Sequence, residues 1–119
     1  MKQFGTVKEI SAWLKSRKNN EQSIGFVPTM GALHKGHISL INRSKKENKI
    51  TVCSIFVNPI QFNNEEDLIK YPRTLSQDLK MLDACGCDAV FTPSTSEIYP
   101  KNEPAKLNIE FGMLDQALS

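Results

Sequence analysis

The two histidines of the chain, His34 and His37, are separated by a lysine and a glycine in the motif H-x-G-H. Imidazoles can donate hydrogen bonds to phosphate oxygens and stabilise the charge that develops when a nucleophile attacks phosphorus. Gly36 lets an anion approach the backbone closely. Because the motif falls where a helix is predicted to begin, unpaired amides and the helix dipole favour phosphate there. Taken singly, the residues also allow a solvated His34 and a His37 that hydrogen-bonds to backbone.

A second polar group lies in the loop from Phe56 to Asn63, after another predicted strand. Gln61 offers both a hydrogen-bond donor and an acceptor. Amides beside apolar side chains suit the binding of a small hydroxy acid. The pair Asn58-Pro59 is also typical of a polar turn, so a purely structural role for this loop is an alternative.

Two apolar runs and the helical pattern between them must position these loops. Ser23 to Val27 stops at Pro28, and the β-branched run from Ile50 to Val57 stops at Asn58-Pro59, so both are predicted as buried strands. His37 to Lys49 carries apolar residues on one side and predicts a helix. A unit of this kind implies parallel strands joined by a right-handed crossover.

Further elements continue the alternation. The capping box T-x-x-E at Thr6 predicts a helix that ends at Asn19-Asn20, and T-x-x-Q at Thr74 predicts a helix that stops at Gly86. A third strand is predicted over Cys87 to Phe91. Strands alternating with helices predict an α/β fold with a doubly wound parallel sheet, whose ligands bind outside the carboxyl ends of the strands. The loops after the first two strands are therefore expected at the site.

Composition bounds the class of protein. The chain has 119 residues, 39% hydrophobic and 24% charged, with a net charge of +2, which is typical of one globular domain and excludes collagen-like, coiled-coil and disordered classes. Mixed charges give no reason to expect nucleic acid or an anionic membrane as a partner. Since no apolar run reaches the roughly 20 residues of a membrane helix, we expect a cytoplasmic protein.

The three cysteines, Cys53, Cys85 and Cys87, are an odd number, and two of them flank one glycine. This spacing argues against the disulfide framework of a small secreted protein. A metal site would need further ligands at a usual spacing, which the sequence does not supply. We expect free thiols that serve as packing residues.

Several stretches together resemble the pantoate–β-alanine ligase family, within the H-x-G-H nucleotidyltransferase superfamily. They are VPTMGALHKGH, IFVNPIQF, DLIKYPRT and DAVFTPS, together with Asp78 and Tyr99-Pro100. The motif H-x-G-H alone is shared by many adenylyl and cytidylyl transferases and by class I aminoacyl-tRNA synthetases. PTMGALHxGH with FVNPxQF is specific to this ligase family. The resemblance runs from about residue 1 to residue 119 and implies a Rossmann-like nucleotidyltransferase fold.

The resemblance implies a two-step reaction. The pantoate carboxylate attacks the α-phosphate of Mg-ATP to give pantoyl adenylate, and the amine of β-alanine then displaces AMP to give pantothenate. A carboxylate is already a nucleophile at neutral pH, so the first step needs alignment and charge stabilisation more than a general base. The resemblance also implies Mg²⁺ brought with ATP as substrate, and a homodimer.

By the same resemblance, His34 and His37 are the candidate catalytic residues, with His37 as the main hydrogen-bond donor. The ATP loop would comprise Met30, Gly31, Ala32, Leu33, His34, Lys35, Gly36 and His37. The pantoate and β-alanine pocket would be lined by Pro28, Thr29, Met30, Asn58, Gln61 and Phe62. Asp78 matches an acidic residue on the magnesium and phosphate side of the family's site, with a solvated acid in a helix's first turn as the alternative.

Family members are longer than this chain and include a second half of the nucleotide-binding sheet and a small C-terminal domain. Residues 1–119 are therefore expected to be an incomplete N-terminal nucleotide-binding domain, inactive alone and without the family's C-terminal domain. A helix-like apolar pattern from Met113 to Leu118 has no cap, which also indicates a truncated chain. The alternatives are another H-x-G-H nucleotidyltransferase and a noncatalytic dimerising module.

Overall fold

Residues 1–99 are described by the computed structural model, so the helical pattern predicted at Met113 to Leu118 lies outside the described residues. The strands are β1 (Lys2–Phe4), β2 (Ile24–Thr29), β3 (Ile50–Ile55) and β4 (Ala89–Phe91). The helices are α1 (Val7–Asn19), α2 (Lys35–Glu47), α3 (Glu65–Lys70), α4 (Leu75–Ala84) and α5 (Thr95–Ile98). A short 3₁₀ turn spans Pro59–Gln61.

The four strands form one parallel sheet in the order β1-β4-β3-β2. The longest pairing aligns β2 with β3, from Ile24 opposite Ile50 to Thr29 opposite Ile55. This arrangement confirms the predicted α/β class and the parallel strand-helix-strand unit. No pattern predicts β1, because this strand has three residues, two of them exposed, and it is held by its pairing with β4.

Strand ends differ from the sequence predictions by a few residues. Pro28 does not end β2, which continues to Thr29. Pro28 stands opposite Ser54 in the parallel pairing of β2 with β3, so the strand continues through the proline although its nitrogen has no hydrogen to donate. Strand β3 ends at Ile55 rather than at Val57, and β4 begins at Ala89 rather than at Cys87.

Helix starts are set by different side chains. Thr6 caps α1 as predicted, its hydroxyl accepting the Glu9 amide. Helix α2 begins at Lys35, two residues before the prediction, because His34 is its cap. Thr74 stands at the start of α4, but its side chain makes no capping bond, so the predicted capping box with Gln77 is wrong.

Apolar side chains cover both faces of the sheet. On one face α1 and α5 pack on the sheet through residues such as Ile10 and Ile98. On the other face α2 and α4 pack through Ile41 and Leu82. Alternate residues of β3 enter opposite clusters. The described residues contain no helix long and apolar enough to cross a membrane.

Cys53 and Cys87 belong to the second of these clusters and are buried, which confirms the packing interpretation for both. All three cysteines are free, with Cys85 partly exposed. Burial raises the pKa of the Cys53 thiol to about 12 and that of Cys87 to about 11. Both sulfurs therefore remain protonated, unreactive thiols at neutral pH.

Candidate active site

A cavity of about 670 Å³ opens at the carboxyl ends of the strands, where the sequence predicts the site. Its wall includes the predicted residues Pro28, Thr29, Met30, His37, Asn58 and Gln61. Met30 and the ring of Phe56 supply apolar surface, and Gln61 is exposed. Phe62 is not part of the wall: its ring packs edge-on against the ring of Tyr71, with 5.6 Å between centroids. The loop that contains His37 and the loop that contains Asn58 and Gln61 therefore meet at one cavity.

Three further residues of the wall, Ser54, Tyr71 and Tyr99, carry hydroxyl groups and are not among the predicted site residues. Both tyrosines of the chain are thus at the cavity. Each precedes a proline, and these Tyr-Pro pairs are the signal by which the sequence could have indicated them. Ser54 follows the fully buried Cys53 within a strand, where no local pattern distinguishes a wall residue from a core residue.

The two imidazoles are fixed by backbone amides at the start of α2. The Gly36 amide donates to His34 Nδ1 at 3.0 Å, and the His34 amide donates to His37 Nδ1 at 3.1 Å. A nitrogen that accepts a hydrogen bond carries no proton, so this pattern assigns the proton of each neutral ring to Nε2. The ring centroids are 4.1 Å apart. Each ring thus keeps an Nε2–H donor for a ligand while Nδ1 caps the helix.

The environment of His37 favours its neutral form. Burial lowers the pKa of His37, and the nearby His34 lowers it further, whereas the carboxylate of Asp78 raises it. Protonation at Nδ1 would also place a hydrogen against the His34 amide, which is itself a donor. Neutral imidazole is therefore the form that fits the folded loop.

Gly36 has a structural role in addition to the predicted one. A Cβ atom there would lie 2.8 Å from Cε1 of His34, so glycine makes room for the imidazole that caps the helix. The Gly36 amide already donates to that ring.

Asp78 lies beneath the same loop, with a relative exposure of 2%. Its Oδ2 accepts the Ala32 amide and its Oδ1 the Leu33 amide, both at 3.0 Å. The Thr74 hydroxyl donates to the same carboxylate, at 3.2 Å to Oδ1. The alternative of a solvated acid is therefore wrong. The amides of Ala32 and Leu33, two residues of the predicted ATP loop, are therefore directed at Asp78.

The expected magnesium role of Asp78 does not fit this geometry. Mg²⁺ requires octahedral coordination by oxygen, mostly from water, phosphate and accessible carboxylates. Both oxygens of Asp78 already accept backbone amides, and the side chain is buried. Within residues 1–99 no group of three or more His, Cys, Asp or Glu side chains could hold a metal ion.

Asn58 is fixed through its side-chain oxygen. Oδ1 accepts the Ile60 amide at 3.2 Å and the Tyr99 hydroxyl at 2.9 Å. Asn58 therefore caps the 3₁₀ turn, as the turn alternative predicted, and also lines the cavity. Because the oxygen is occupied twice, the amide nitrogen is the group left for a ligand.

A smaller cavity of about 340 Å³ adjoins the first and shares Met30, Phe56 and Pro93 with it. Its wall includes Arg73, whose guanidinium donates to backbone carbonyls at the end of α3. Asp78 also forms part of this wall, although its side chain is almost completely covered. The second cavity thus lies beside the loop that carries the histidines.

Sequence comparison with known proteins identifies one family. The family model described as pantoate-beta-alanine ligase matches residues 2–119. The pantothenate synthetase of Bacteroides fragilis is 49% identical over 118 residues, which are 99% of this chain and 41% of that protein. That of Cytophaga hutchinsonii is 49% identical over 95% of this chain and 39% of its own length. The chain thus spans about two-fifths of the length of these relatives.

Solved structures share the fold. Pantothenate synthetase from Thermus thermophilus superposes with a TM-score of 0.78 and 43% identity, over 86% of this chain and 35% of that one. Pantoate-beta-alanine ligase from Francisella tularensis, described as complexed with beta-gamma ATP and beta-alanine, gives a TM-score of 0.76 and 47% identity. The superposition covers 85% of this chain and 38% of the Francisella chain. The chain belongs to the pantoate-beta-alanine ligase family.

Proposed function

We propose that the protein is an ATP-dependent ligase that adenylates pantoate and condenses it with β-alanine to give pantothenate, AMP and pyrophosphate. The observation that carries this proposal is the pair of Nε2–H donors, fixed beside a cavity that the motif loop and the Asn58–Gln61 loop share. The Francisella relative was solved with an ATP compound and β-alanine, which supports the same substrates here.

In the first step the carboxylate of pantoate attacks the α-phosphate of Mg-ATP, and pyrophosphate leaves. No base is needed, because the carboxylate is ionised at neutral pH. The residues of this chain contribute alignment and charge stabilisation. His37, at the cavity wall, donates from Nε2 to the phosphate that gains negative charge, and His34 donates beside it. Mg²⁺ belongs to the substrate, held by the phosphates of ATP.

Pantoate would occupy the larger cavity. Its two methyl groups suit the apolar wall formed by Met30 and Phe56. Its hydroxyl and carboxylate oxygens can accept from the Asn58 amide nitrogen and from Gln61. Pro28 and Thr29 complete the floor at the end of β2, and the Thr29 hydroxyl is fixed by donation to the Ser54 carbonyl at 2.8 Å. The β-alanine amine would then approach from the side of Gln61.

We also propose that residues 1–119 are the N-terminal nucleotide-binding part of a longer, cytoplasmic, homodimeric enzyme. The shared length with the Bacteroides relative supports the first part, since the chain spans 41% of that protein. The three free thiols support a reducing compartment. Sedimentation of the full-length native protein gives the molar mass of its assembly and so tests the dimer.

The experiment that tests the activity is pantoate-dependent exchange of labelled pyrophosphate into ATP, without β-alanine, in the full-length native protein. Exchange is expected with pantoate, and His37→Ala should reduce it about 100-fold with its circular dichroism unchanged. Exchange that depends instead on a phosphopantetheine or glycerol phosphate acceptor would assign the protein to another H-x-G-H nucleotidyltransferase. Self-association with no exchange and no nucleotide binding would leave the noncatalytic module.

A further inference from the structure

We propose that Asp78 is a positioning residue: its buried carboxylate holds the backbone of Ala32 and Leu33 so that the following histidines face the substrate, and it is not a magnesium ligand. The consequence for catalysis rests on the proposed function. The structural part of the proposal is independent of any activity.

The contact is long-range and specific. Asp78 lies 45 residues after Leu33 in the chain, in the first turn of α4. Each carboxylate oxygen accepts one loop amide, at 3.0 Å in both cases. The Thr74 hydroxyl adds a donor at 3.2 and 3.3 Å from the two oxygens. The carboxylate thus ties the loop before α2 to the start of α4.

The loop needs this support because of its backbone conformation. Gly31 has φ +83° and Ala32 has φ +51°, so two successive residues are in the left-handed region. An alanine has a steric cost there, and such conformations persist where surrounding contacts determine them. A Cβ at Gly31 would lie 3.2 Å from Asp78 Oδ2, which shows how closely the carboxylate packs against the turn. Removing the acceptor therefore releases a strained segment.

Burial of the charge points to the same role. A carboxylate that is 2% exposed requires strong hydrogen-bond donors around it. The salt bridges formed within residues 1–99 do not include Asp78, so amides, the Thr74 hydroxyl and the positive end of α4 stabilise its charge. An asparagine would keep one acceptor oxygen but turn an NH₂ donor towards an amide donor. Charge and geometry both favour aspartate here.

His34 follows Leu33 directly, and its amide holds His37 Nδ1. The carboxylate therefore acts on both imidazoles through a continuous stretch of backbone from Ala32 to His34. Asp78 is expected to affect the rate of adenylation through the position of these rings. It should not affect the concentration of Mg²⁺ that the reaction needs.

The test compares Asp78→Asn with Asp83→Asn, the same change at an exposed aspartate on the same helix. The first readout is hydrogen exchange of the Ala32 and Leu33 amides in the protein without ligand. Exchange is expected to be at least about tenfold faster in Asp78→Asn and unchanged in Asp83→Asn. Unchanged exchange in Asp78→Asn would overturn the proposal.

The second readout is pantoate-dependent pyrophosphate exchange at increasing Mg²⁺ concentration, in the full-length native protein. For Asp78→Asn we expect kcat to fall about 100-fold, as for a misplaced reacting group, with the half-saturating Mg²⁺ concentration unchanged. A rate that excess Mg²⁺ restores would identify a metal ligand instead. If the wild-type protein shows no such exchange at all, the proposed function fails, and amide exchange still decides the role of Asp78.

A third measurement uses the wild-type protein. In the wild-type protein, Mg-ATP is expected to leave the Ala32 and Leu33 amides as protected as before, because the carboxylate stays with them. A metal that recruited Asp78 would speed their exchange, which would contradict the proposal.

Thr74→Val, which removes one donor to the carboxylate, should speed the exchange of the same amides by a smaller factor than Asp78→Asn.

Discussion

At the scale of single residues, the imidazole nitrogens of His34 and His37 divide two tasks. Nδ1 of each ring accepts a hydrogen bond from a backbone amide at the start of α2. Nε2 keeps its proton and can donate a hydrogen bond to a phosphate oxygen. The backbone hydrogen bond that the sequence left open for His37 is thus present at Nδ1, His34 makes a similar bond, and the proposed contact with phosphate would use the opposite side of each ring. The structural role fixes the tautomer that the chemical role requires.

The pH dependence of adenylation should follow the neutral form of His37. Because burial and His34 lower its pKa, the neutral form persists below the ordinary histidine value of 6.5. We expect kcat/KM for ATP, which reports on the free enzyme, to be level above that pH and to fall only at lower pH. Measurement of kcat/KM against pH, with NMR titration of the imidazole, tests this. An inflection above 6.5 that follows His37 would contradict it.

The same shift gives the sign of the stability change. A histidine with a lowered folded-state pKa binds its proton more readily when unfolded, so acid favours the unfolded chain. The contribution of His37 is fully present above pH 6.5 and is lost as the pH falls towards the folded pKa. In His37→Ala this part of the acid dependence should be absent, which urea unfolding at a series of pH values measures.

Tyr99 determines which end of the Asn58 amide faces the cavity. Its hydroxyl donates to Oδ1 at 2.9 Å, so Tyr99→Phe should release the Asn58 side chain to rotate. We expect the KM for pantoate to rise about fivefold, the usual value of one hydrogen bond, with the KM for ATP unchanged. Steady-state kinetics of the full-length native protein measures both, and an equal rise in the two constants would show a general loss of structure instead.

At the scale of elements, the start of α2 combines a glycine and a histidine that depend on each other. Gly36→Ala should place a Cβ against the His34 ring and lower the free energy of unfolding by about 1 kcal/mol. In a His34→Ala background the ring is absent, and alanine should stabilise the helix by up to about 1 kcal/mol over glycine. Urea unfolding of the four variants measures this coupling, and additive effects would show that the two positions are independent.

The elements also show what the sequence can predict. The strand-helix-strand unit around the motif is predictable because β2, α2 and β3 have strong apolar patterns and turn residues at their ends. Strand β1 is not, because Lys2 and Gln3 are exposed and carry no such pattern. That β2 continues through Pro28 follows from its pairing with β3, where Pro28 stands opposite Ser54, and local sequence does not reveal this partner.

Within the site, too, features set by local sequence can be predicted and features set by tertiary contacts cannot. The motif loops can be assigned to one cavity because the carboxyl ends of parallel strands share an edge of the sheet. The partner of Asp78 cannot be predicted, because its contact with Leu33 spans 45 residues and depends on a tertiary backbone turn. For the same reason the sequence predicts Thr74 as a side-chain cap of α4, whereas its hydroxyl donates to Asp78.

At the scale of the whole molecule, residues 1–99 supply more of the proposed pantoate site than of the proposed phosphate site. Within residues 1–99, the larger cavity is lined by residues at the ends of β2, β3 and β4 and in the segments that follow these strands. The phosphate side has the two imidazoles, while several loop amides are already used inside the protein, by Thr29, Asp78 and the histidines themselves. The described residues therefore offer more free polar and apolar surface at the larger cavity than free amides in the loop that carries the histidines.

This inequality predicts a separation of binding from catalysis in the 119-residue chain. Pantoate should shift the amide resonances of Gln61 and of neighbouring cavity residues, because side chains from three strand ends line the cavity, whereas pantoate-dependent pyrophosphate exchange should require the full-length native protein. NMR titration of the chain with pantoate, with acetate as the control carboxylate, measures the first part, and the exchange assay measures the second. Exchange by the chain alone would mean that the imidazoles suffice for the phosphates. Shifts no larger than those with acetate would mean that the cavity, too, depends on residues outside 1–119.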